Sequence, residues 1–396
     1  MRIGIDARFY GSVGKGLGRY TEKLLEYLET LDTENEYVVF LRRENFYEYR
    51  PKSPRFKKVL ADFAWYGFAE QLLFPWLLYR FRFDLVHFPH FNVPLLYRKK
   101  FVVTIHDLIL IHYPTLRNTT RPAWLYRLKF AAYRFVIAEA IRHAVEVIVV
   151  SRFTESDVLT HYPAAKGKIT VTYEAAGQVC AFTPQKEENS FLSRFGLIPR
   201  QVQASSAAPS RAIIEPYLLY VGNAYPHKNL SLLIRAAKRF PGYRFLLVGK
   251  EDYFYTRLKA EAEREKAANV IFTGFLTDQE LGILYRYATL YLFPSLYEGF
   301  GLPPLEAMMY GVPVLTSRAG SLPEVLGDAA MYFDPKREGA LEEAIDILIT
   351  DITDETRKHE IRKRGYRQAA KFNWHTMAEE TRTLYQRAHQ KNTEKH

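Results

Sequence analysis

Residues 292–313 limit what this chain can fold into more than any other stretch. They read Leu-Phe-Pro-Ser-Leu-Tyr-Glu-Gly-Phe-Gly-Leu-Pro-Pro-Leu-Glu-Ala-Met-Met-Tyr-Gly-Val-Pro. The apolar run 290–293 has the length and composition of a buried strand. A loop with two glycines, Gly299 and Gly301, follows it. Pro303 and Pro304 suit a first helical turn, because proline presets φ and has no donor to lose there. Gly311 and Pro313 then stop the helix. Glu298 therefore sits just before a helix N-terminus and Glu306 inside its first turns. Such a terminus attracts anions, phosphates above all. Two carboxylates beside it would repel a phosphate unless they bind something else, such as sugar hydroxyls. A ligand that is phosphate and polyol at once, a nucleotide-diphospho-sugar, meets both conditions; a plain strand–loop–helix unit with a solvated glutamate is the bland alternative.

The same strand–loop–helix pattern recurs along the chain. Residues 2–6 form an apolar strand, then Gly11, Gly14, Gly16 and Gly18 crowd a loop, and Tyr20, Leu24, Leu25 and Leu28 follow at helical spacing. The loop matches neither Gly-x-Gly-x-x-Gly nor a P-loop, since Lys15 is not followed by Ser or Thr; its amides can still face a phosphate. Further strands are expected at 37–41, 85–88, 102–105, 145–150 and 169–171. Trp65, Phe68, Ala69, Leu72, Leu73, Trp76 and Leu77 form a stripe that reads as a buried helix face. His106 and Asp107 end a strand, where α/β sheets place ligands. A long helix at 122–143 mixes Trp124, Tyr126 and Tyr133 with Arg127, Lys129 and Arg134, a pattern of surface helices that can also lie on a membrane. The polar, small-residue run at 186–213 reads as a linker or insert. Beyond it strands recur at 217–221, 245–248, 270–273, 290–293 and 312–316; Asp278 is expected to cap the helix after the third, and the last helix spans about 374–390. Two successive βα sets imply two doubly wound parallel sheets facing across a cleft, with domains at 1–185 and 214–371 and a final segment, 372–396, returning to the first.

Composition narrows the setting. The chain has 396 residues, enough for two ordinary domains, and is 48% hydrophobic and 25% charged. A single cysteine, Cys180, rules out an internal disulfide. No apolar run is long enough for a spanning helix, and the N-terminus begins directly as a strand, so a cytoplasmic protein is expected. The net charge is +11, of which +8 (26 basic, 18 acidic) falls in residues 1–180. That excess points to an anionic partner such as a membrane surface or an anionic acceptor; nucleic-acid binding would rest on charge alone.

Taken together, these residues resemble the retaining GT-B glycosyltransferases of the family 4 type, typified by bacterial mannosyl- and glucosyltransferases. The most specific match is Glu298 and Glu306 in the setting Glu-Gly-Phe-Gly-Leu-Pro-x-x-Glu-Ala. Others, in the family's order, are Gly-Leu-Gly-Arg-Tyr at 16–20, Thr-Ile-His-Asp-Leu at 104–108, Ser-Arg-Phe-Thr at 151–154, Tyr-Val-Gly at 220–222, Pro-His-Lys-Asn at 226–229, Gly-Ser-Leu-Pro-Glu at 320–324 and Phe-Asn-Trp at 372–374.

The resemblance implies roles for particular residues. Lys228 would neutralise the departing diphosphate, and Glu306 would bind the ribose hydroxyls. Amides of Gly299, Phe300, Gly301 and Leu302 would hold the transferred sugar and phosphate. Glu298 would contact sugar hydroxyls near the reacting carbon, and His106 would reach the donor sugar from the N-terminal domain. Gly16 would approach the diphosphate, with Gly249 and Phe275 near the base. The first loop and the helices at 65–79 and 122–143 would face the acceptor. Many members carry Arg where this chain has Asn223, so charge stabilisation would rest more on Lys228. The implied reaction is metal-independent, retaining hexosyl transfer with no cofactor, from GDP-mannose or alternatively a UDP-sugar, to a glycan or lipid-linked acceptor at the inner face of a membrane. A nucleotide-sugar-binding protein without turnover is the alternative that Asn223 motivates.

Overall fold

The structure is a computed structural model that describes residues 1–11, 15–114, 123–177, 185–197, 200–201, 212–213 and 215–391. It divides into two compact units, one of Met1–Glu174 with Phe372–His396 and one of Ala175–Lys371.

In the first unit the strands are β1 (Arg2–Asp6), β2 (Glu36–Leu41), β3 (Phe56–Leu60), β4 (Leu85–Phe88), β5 (Phe101–Ile105), β6 (Glu146–Val149) and β7 (Ile169–Val171). They form one sheet in the order β3-β2-β1-β4-β5-β6-β7, and every pairing is parallel. The order reverses between β1 and β4, the switch point at which such sheets bind ligands beyond their strand ends. The connecting helices are α1 (Lys15–Leu31), α2 (Phe68–Arg80), α3 (Ile109–His112), α4 (Ala123–His143) and α5 (Arg152–His161). Ser151 caps α5 by accepting from the Thr154 amide. On one face of the sheet, Phe74 and Leu78 of α2 and Ile137 and Ile141 of α4 share a core with Phe40, Phe88 and Phe101.

Helix α2 departs from what its spacing predicts. Its 3/4 stripe predicts a buried face, yet Phe68 is 90% exposed, Trp76 62%, Leu72 60% and Leu73 52%. The buried side carries Glu70, Phe74, Pro75 and Leu78 instead. The helix is apolar nearly all round, so periodicity cannot choose a face. Glu70 chooses it: its carboxylate accepts from Asn92 Nδ2 (2.7 Å) and the Tyr66 amide (2.7 Å) and pairs with Arg8 (2.6 Å).

The second unit opens with α6 (Gln185–Ser193) and a short antiparallel pair, β8 (Arg200–Gln201) and β9 (Ala212–Ile213). The polar composition of 186–213 predicts a linker, and Glu174 rather than residue 185 ends the first unit. Helix α6 is anchored because Phe191, Leu192 and Leu197 are buried and Glu188 accepts from Arg286 and from the Tyr287 hydroxyl (2.7 Å). Residues 202–211 of the expected linker, Cys180 and residues 12–14 of the first glycine loop lie outside the described residues, as do the side chains of Trp124 and Tyr126.

The main strands here are β10 (Tyr217–Val221), β11 (Arg244–Val248), β12 (Val270–Gly274), β13 (Leu290–Phe293), β14 (Val314–Ser317) and β15 (Ala330–Phe333). Their order is β12-β11-β10-β13-β14-β15, again all parallel. The helices are α7 (Ser231–Ala237), α8 (Tyr253–Arg264), α9 (Asp278–Tyr287), α10 (Leu302–Met309), α11 (Leu322–Leu326), α12 (Ala340–Thr353) and α13 (Glu355–Ala369). Thr277, not Asp278, caps α9: it forms a capping box with Glu280 that satisfies two terminal amides reciprocally. The last helix, α14 (Trp374–Gln390), belongs to the first unit, where Tyr385 and Trp374 are buried. No helix among the described residues is long and apolar enough to cross a membrane.

Candidate active site

The strand ends of the second unit gather most of the residues singled out above. After β10 the chain turns through Gly222 and Asn223, and after β11 through Gly249. A Cβ on Gly249 would collide with the Gly222 carbonyl oxygen and the Tyr255 hydroxyl, so only glycine allows these two strand ends to approach. Asn223 stands where a cation is expected from the resemblance. Its side chain accepts from the Tyr225 amide (3.2 Å) and its carbonyl from the Tyr220 hydroxyl (2.8 Å), so it shapes the turn. The turn leads into a short helix at Pro226–Lys228, closed by Asn229 in the left-handed region at φ 57°.

Lys228 lies at the centre. Its Nζ donates to Glu298 Oε1 at 2.6 Å and sits 5.1 Å from the Phe293 ring centroid. Both side chains are nearly buried, 12% and 10% exposed. The pair spans 70 residues and joins the end of β13 to the turn after β10. His227, next to it, is held neutral: burial, helped by the Lys228 charge, lowers its pKa from 6.5 to about 3.

The loop at 298–301 is fixed from behind. The Ser321 amide and hydroxyl both donate to the Glu298 carbonyl at 3.2 Å, and the hydroxyl also to the Phe300 carbonyl at 2.8 Å. A Cβ on Gly320 would fall 2.5 Å from the Glu298 carbonyl oxygen, which explains the Gly-Ser at 320–321. Gly301 precedes α10 at φ 98°, a conformation that favours glycine. The two prolines at the start of α10 remove two of the donors that a helix N-terminus ordinarily presents. What remains for an anion is the loop: among the described residues the Gly301 and Leu302 amides donate to no protein acceptor. Glu306, in the second turn of α10, is half-buried and accepts from the Tyr285 hydroxyl at 3.4 Å. Phe275 follows the end of β12 and is 73% exposed, a free ring for stacking.

His106 and Gly16 belong to the first unit. Gly16 is exposed in the first turn of α1, and a Cβ there would meet nothing within 4 Å. Tyr20, one turn later, packs edge-on against His106 at 4.8 Å. His106 does not pair with Asp107, as their adjacency invites one to expect; the Asp107 carboxylate accepts from the Ile109 amide at 3.0 Å. Its ring nitrogens face Glu174 Oε1 (Nδ1, 2.9 Å) and the Pro89 carbonyl (Nε2, 2.9 Å). Both partners are acceptors, and a neutral imidazole has one N–H, so the cation alone satisfies both. Burial works against that charge, but the hydrogen bond and charge of Glu174 outweigh it, and the pKa is raised above 6.5. The stabilisation of this pair is therefore complete below the ordinary histidine pKa and is lost as pH rises through the raised value. Glu174→Gln is expected to move the His106 imidazole titration, followed by NMR, to lower pH. An unmoved titration would mean that Glu174 does not hold the charge.

Behind His106 lie side chains that sequence reasoning missed. His87 donates or accepts between the Tyr385 hydroxyl (2.6 Å) and Thr104 (2.8 Å), and burial, with the His106 charge, lowers its pKa to about 3. Beyond β1, Arg8 is fully buried, bidentate on Asp6 (2.7 and 2.8 Å) and paired with Glu70. A lone glutamate inside the apolar run 68–78 was the available signal for this network. Glu174 had none, because its partner is 68 residues away.

Two family models match the chain. Glycosyl transferases group 1 matches residues 207–368, and Glycosyltransferase Family 4 matches residues 14–175. Among curated relatives, the O-antigen chain mannosyltransferase B of Escherichia coli is 29% identical over 336 residues, covering 80% of this chain and 79% of the relative. The O-antigen chain mannosyltransferase RfbU of Salmonella typhimurium is 26% identical over 288 residues, covering 72% and 70%. Of solved structures, sucrose-phosphate synthase from Thermosynechococcus elongatus superposes with a TM-score of 0.74 at 20% identity over 98% of both chains. HepE of Anabaena, solved with UDP-glucose, does so at 0.69 and 17%, over 97% of this chain and 99% of that one.

Proposed function

Because the chain belongs to the family 4 type of GT-B glycosyltransferases, we propose that it transfers mannose from GDP-mannose to a glycan or lipid-linked acceptor, retaining the anomeric configuration. The reaction runs without a metal cofactor, on the cytoplasmic side, in surface polysaccharide or lipopolysaccharide synthesis. The naming of the two O-antigen mannosyltransferases supports the transferred sugar and the pathway class.

The observation that carries this reading is the Lys228–Glu298 pair. In the absence of donor, each charge neutralises the other in a nearly dry site. A nucleotide diphosphate entering beside them competes with Glu298 for the ammonium. The exchange leaves Lys228 on the leaving group and frees the Glu298 carboxylate for sugar hydroxyls. Charge building on the diphosphate as the glycosidic bond breaks then meets a cation already in place, with the loop amides at Gly301 and Leu302 beside it; such preorganised stabilisers are the largest lever in group transfer. Glu306 takes the ribose hydroxyls, Phe275 and the Gly249 turn lie at the base, and Asn223 holds the turn that presents Lys228. Retention proceeds by attack from the face the diphosphate leaves. Glu298 and Glu306 serve binding, unlike the acid and nucleophile pair of a glycosidase. The roles that the resemblance implies for His106, at the donor sugar, and for Gly16, at the diphosphate, belong to this proposal; within the first unit both ring nitrogens of His106 are engaged, by Glu174 and the Pro89 carbonyl.

A donor screen tests this. GDP release is expected from GDP-mannose, undiminished by a chelator, and rising when acceptor is supplied. Release from UDP-glucose or UDP-N-acetylglucosamine, with none from GDP-sugars, would move the donor to the UDP class. Tight donor binding with no release even with acceptor would make the protein a nucleotide-sugar binder, the outcome that the uncharged Asn223 favours.

A further inference from the structure

We propose that His112, Asp157 and His161 bind one Zn(II) ion in the first unit, and that the ion ties α3 to α5. His112 closes α3, while Asp157 and His161 stand at i, i+4 on one face of α5. His112 Nε2 lies 2.9 and 3.0 Å from the two Asp157 carboxylate oxygens, and His161 Nδ1 lies 3.2 Å from Oδ1. The two rings meet edge-on, 86° apart, with centroids at 5.2 Å. Among the described residues this is the one group of three histidine, cysteine or acidic side chains whose ligand atoms all lie within 4.8 Å of one another. An ordinary surface pair needs one imidazole for one carboxylate. Here two imidazoles from separate helices converge on the same oxygen, the arrangement of a chelate.

Donor chemistry selects the ion. Two imidazole nitrogens and one carboxylate suit zinc, whereas magnesium and calcium want oxygen ligands. Tetrahedral zinc at its usual bond lengths holds its ligand atoms about 3.3 Å apart, close to the spacings already present between Asp157 and each ring. The Asp157 side chain is 8% exposed and anchors the site, while His112 and His161 are 33% and 28% exposed and leave an ion a way in. Binding requires each ligating nitrogen to present its lone pair in place of an N–H. In a neutral ring the proton moves to the other nitrogen, so the imidazoles stay uncharged and Asp157 supplies the negative charge. His161 Nδ1 must also give up the Asp157 carbonyl, 3.0 Å away. Three protein ligands leave a fourth position for water. The gain falls on α3, which is four residues long with none of them buried; a helix so short has no stability of its own. None of the three ligands is assigned to the donor or the diphosphate, so the ion stands apart from the transfer reaction.

The test is equilibrium dialysis of the full chain, first stripped with a chelator, against Zn(II), with Co(II) as a spectroscopic probe. One Zn(II) is expected to bind at this site, and a large excess of Mg(II) should not displace it. Co(II) should develop the visible absorption of a tetrahedral site and lose it when Zn(II) is added. His112→Ala and His161→Ala should each weaken Zn(II) binding by about tenfold or more, since losing even a group that only orients a ligand costs about that much. Both should also lose the rise in thermal midpoint that Zn(II) gives the parent protein. The two positions are solvent-accessible, so these variants should keep the parental circular dichroism; if one does not, the other carries the reading. Three results would overturn the proposal: no Zn(II) binding by the parent protein, undiminished binding by the folded histidine variants, or displacement by Mg(II). Metal binding is read here without turnover, so its failure is distinct from failure of the donor screen.

Discussion

Lys228→Ala is expected to lower kcat by about 10²- to 10³-fold, the scale for removing one preorganised stabiliser of a developing anion. Three features make the loss hard to compensate. The turn that carries Lys228 is fixed by Asn223 and closed by Asn229, so the backbone itself sets where this one cation stands. Asn223 is itself uncharged. And the α10 N-terminus has two prolines where it would otherwise offer donors. The companion change, Glu298→Gln, separates the two halves of the pair. It removes the charge that holds Lys228 in the empty site, so nucleoside diphosphate should bind at least as tightly as before while turnover falls. Product inhibition and kcat measured together read both effects. A Lys228→Ala protein with parental kcat would remove the leaving-group role, and a Glu298→Gln protein that binds diphosphate less tightly would contradict the exchange of partners.

Arg8→Met should destabilise the first unit by about 3–5 kcal/mol, the usual result of breaking a buried ion network by removing one partner. Asp6 and Glu70 would be left facing each other without a cation, both buried. The guanidinium is not held by chance: burial opposes its charge, yet Asp6 and Glu70 overcome that and push its pKa upward. Since domains have only about 5–15 kcal/mol to lose, the change is large. Denaturant unfolding followed by tryptophan emission isolates it, because Trp65, Trp76, Trp124 and Trp374 all belong to the first unit. Adding Glu70→Met to Arg8→Met should recover part of the loss. A single variant whose midpoint does not move would show that the network is neutral.

The central strands were legible in the sequence because each is a short apolar run bounded by turn residues, and from their alternation with helices the parallel sheets followed. The two strands missed in the main sheets, β3 and β15, lie at their edges. Lys57 and Lys58 in β3 are the kind of residue that protects an edge from further pairing, and they also break the apolar signal. The candidate site residues Glu298, Gly301 and Glu306 could be placed together for a different reason: they lie within one strand–loop–helix unit, where spacing carries geometry. What spacing could not carry was partnership across the chain. Lys228 and Glu298 could be named singly but not as a pair, and Glu174 and Arg8 could not be named at all. Helix α2 failed at the opposite end, with too much apolar character for any one face to stand out.

The return of α14 to the first unit has a consequence for how the protein is made. The whole second unit is inserted between Glu174 and Phe372, and Tyr385 closes a hydrogen bond to His87 across 298 residues of chain. A ribosome delivers the second unit entire while the first still lacks the helix that covers its sheet. The half that emerges first must therefore wait, with the α14 side of its sheet uncovered, and long sequence separations of this kind slow folding and expose apolar surface meanwhile. Chaperone demand in a cell should accordingly fall on the N-terminal unit, and on the interval between the synthesis of β7 and that of α14.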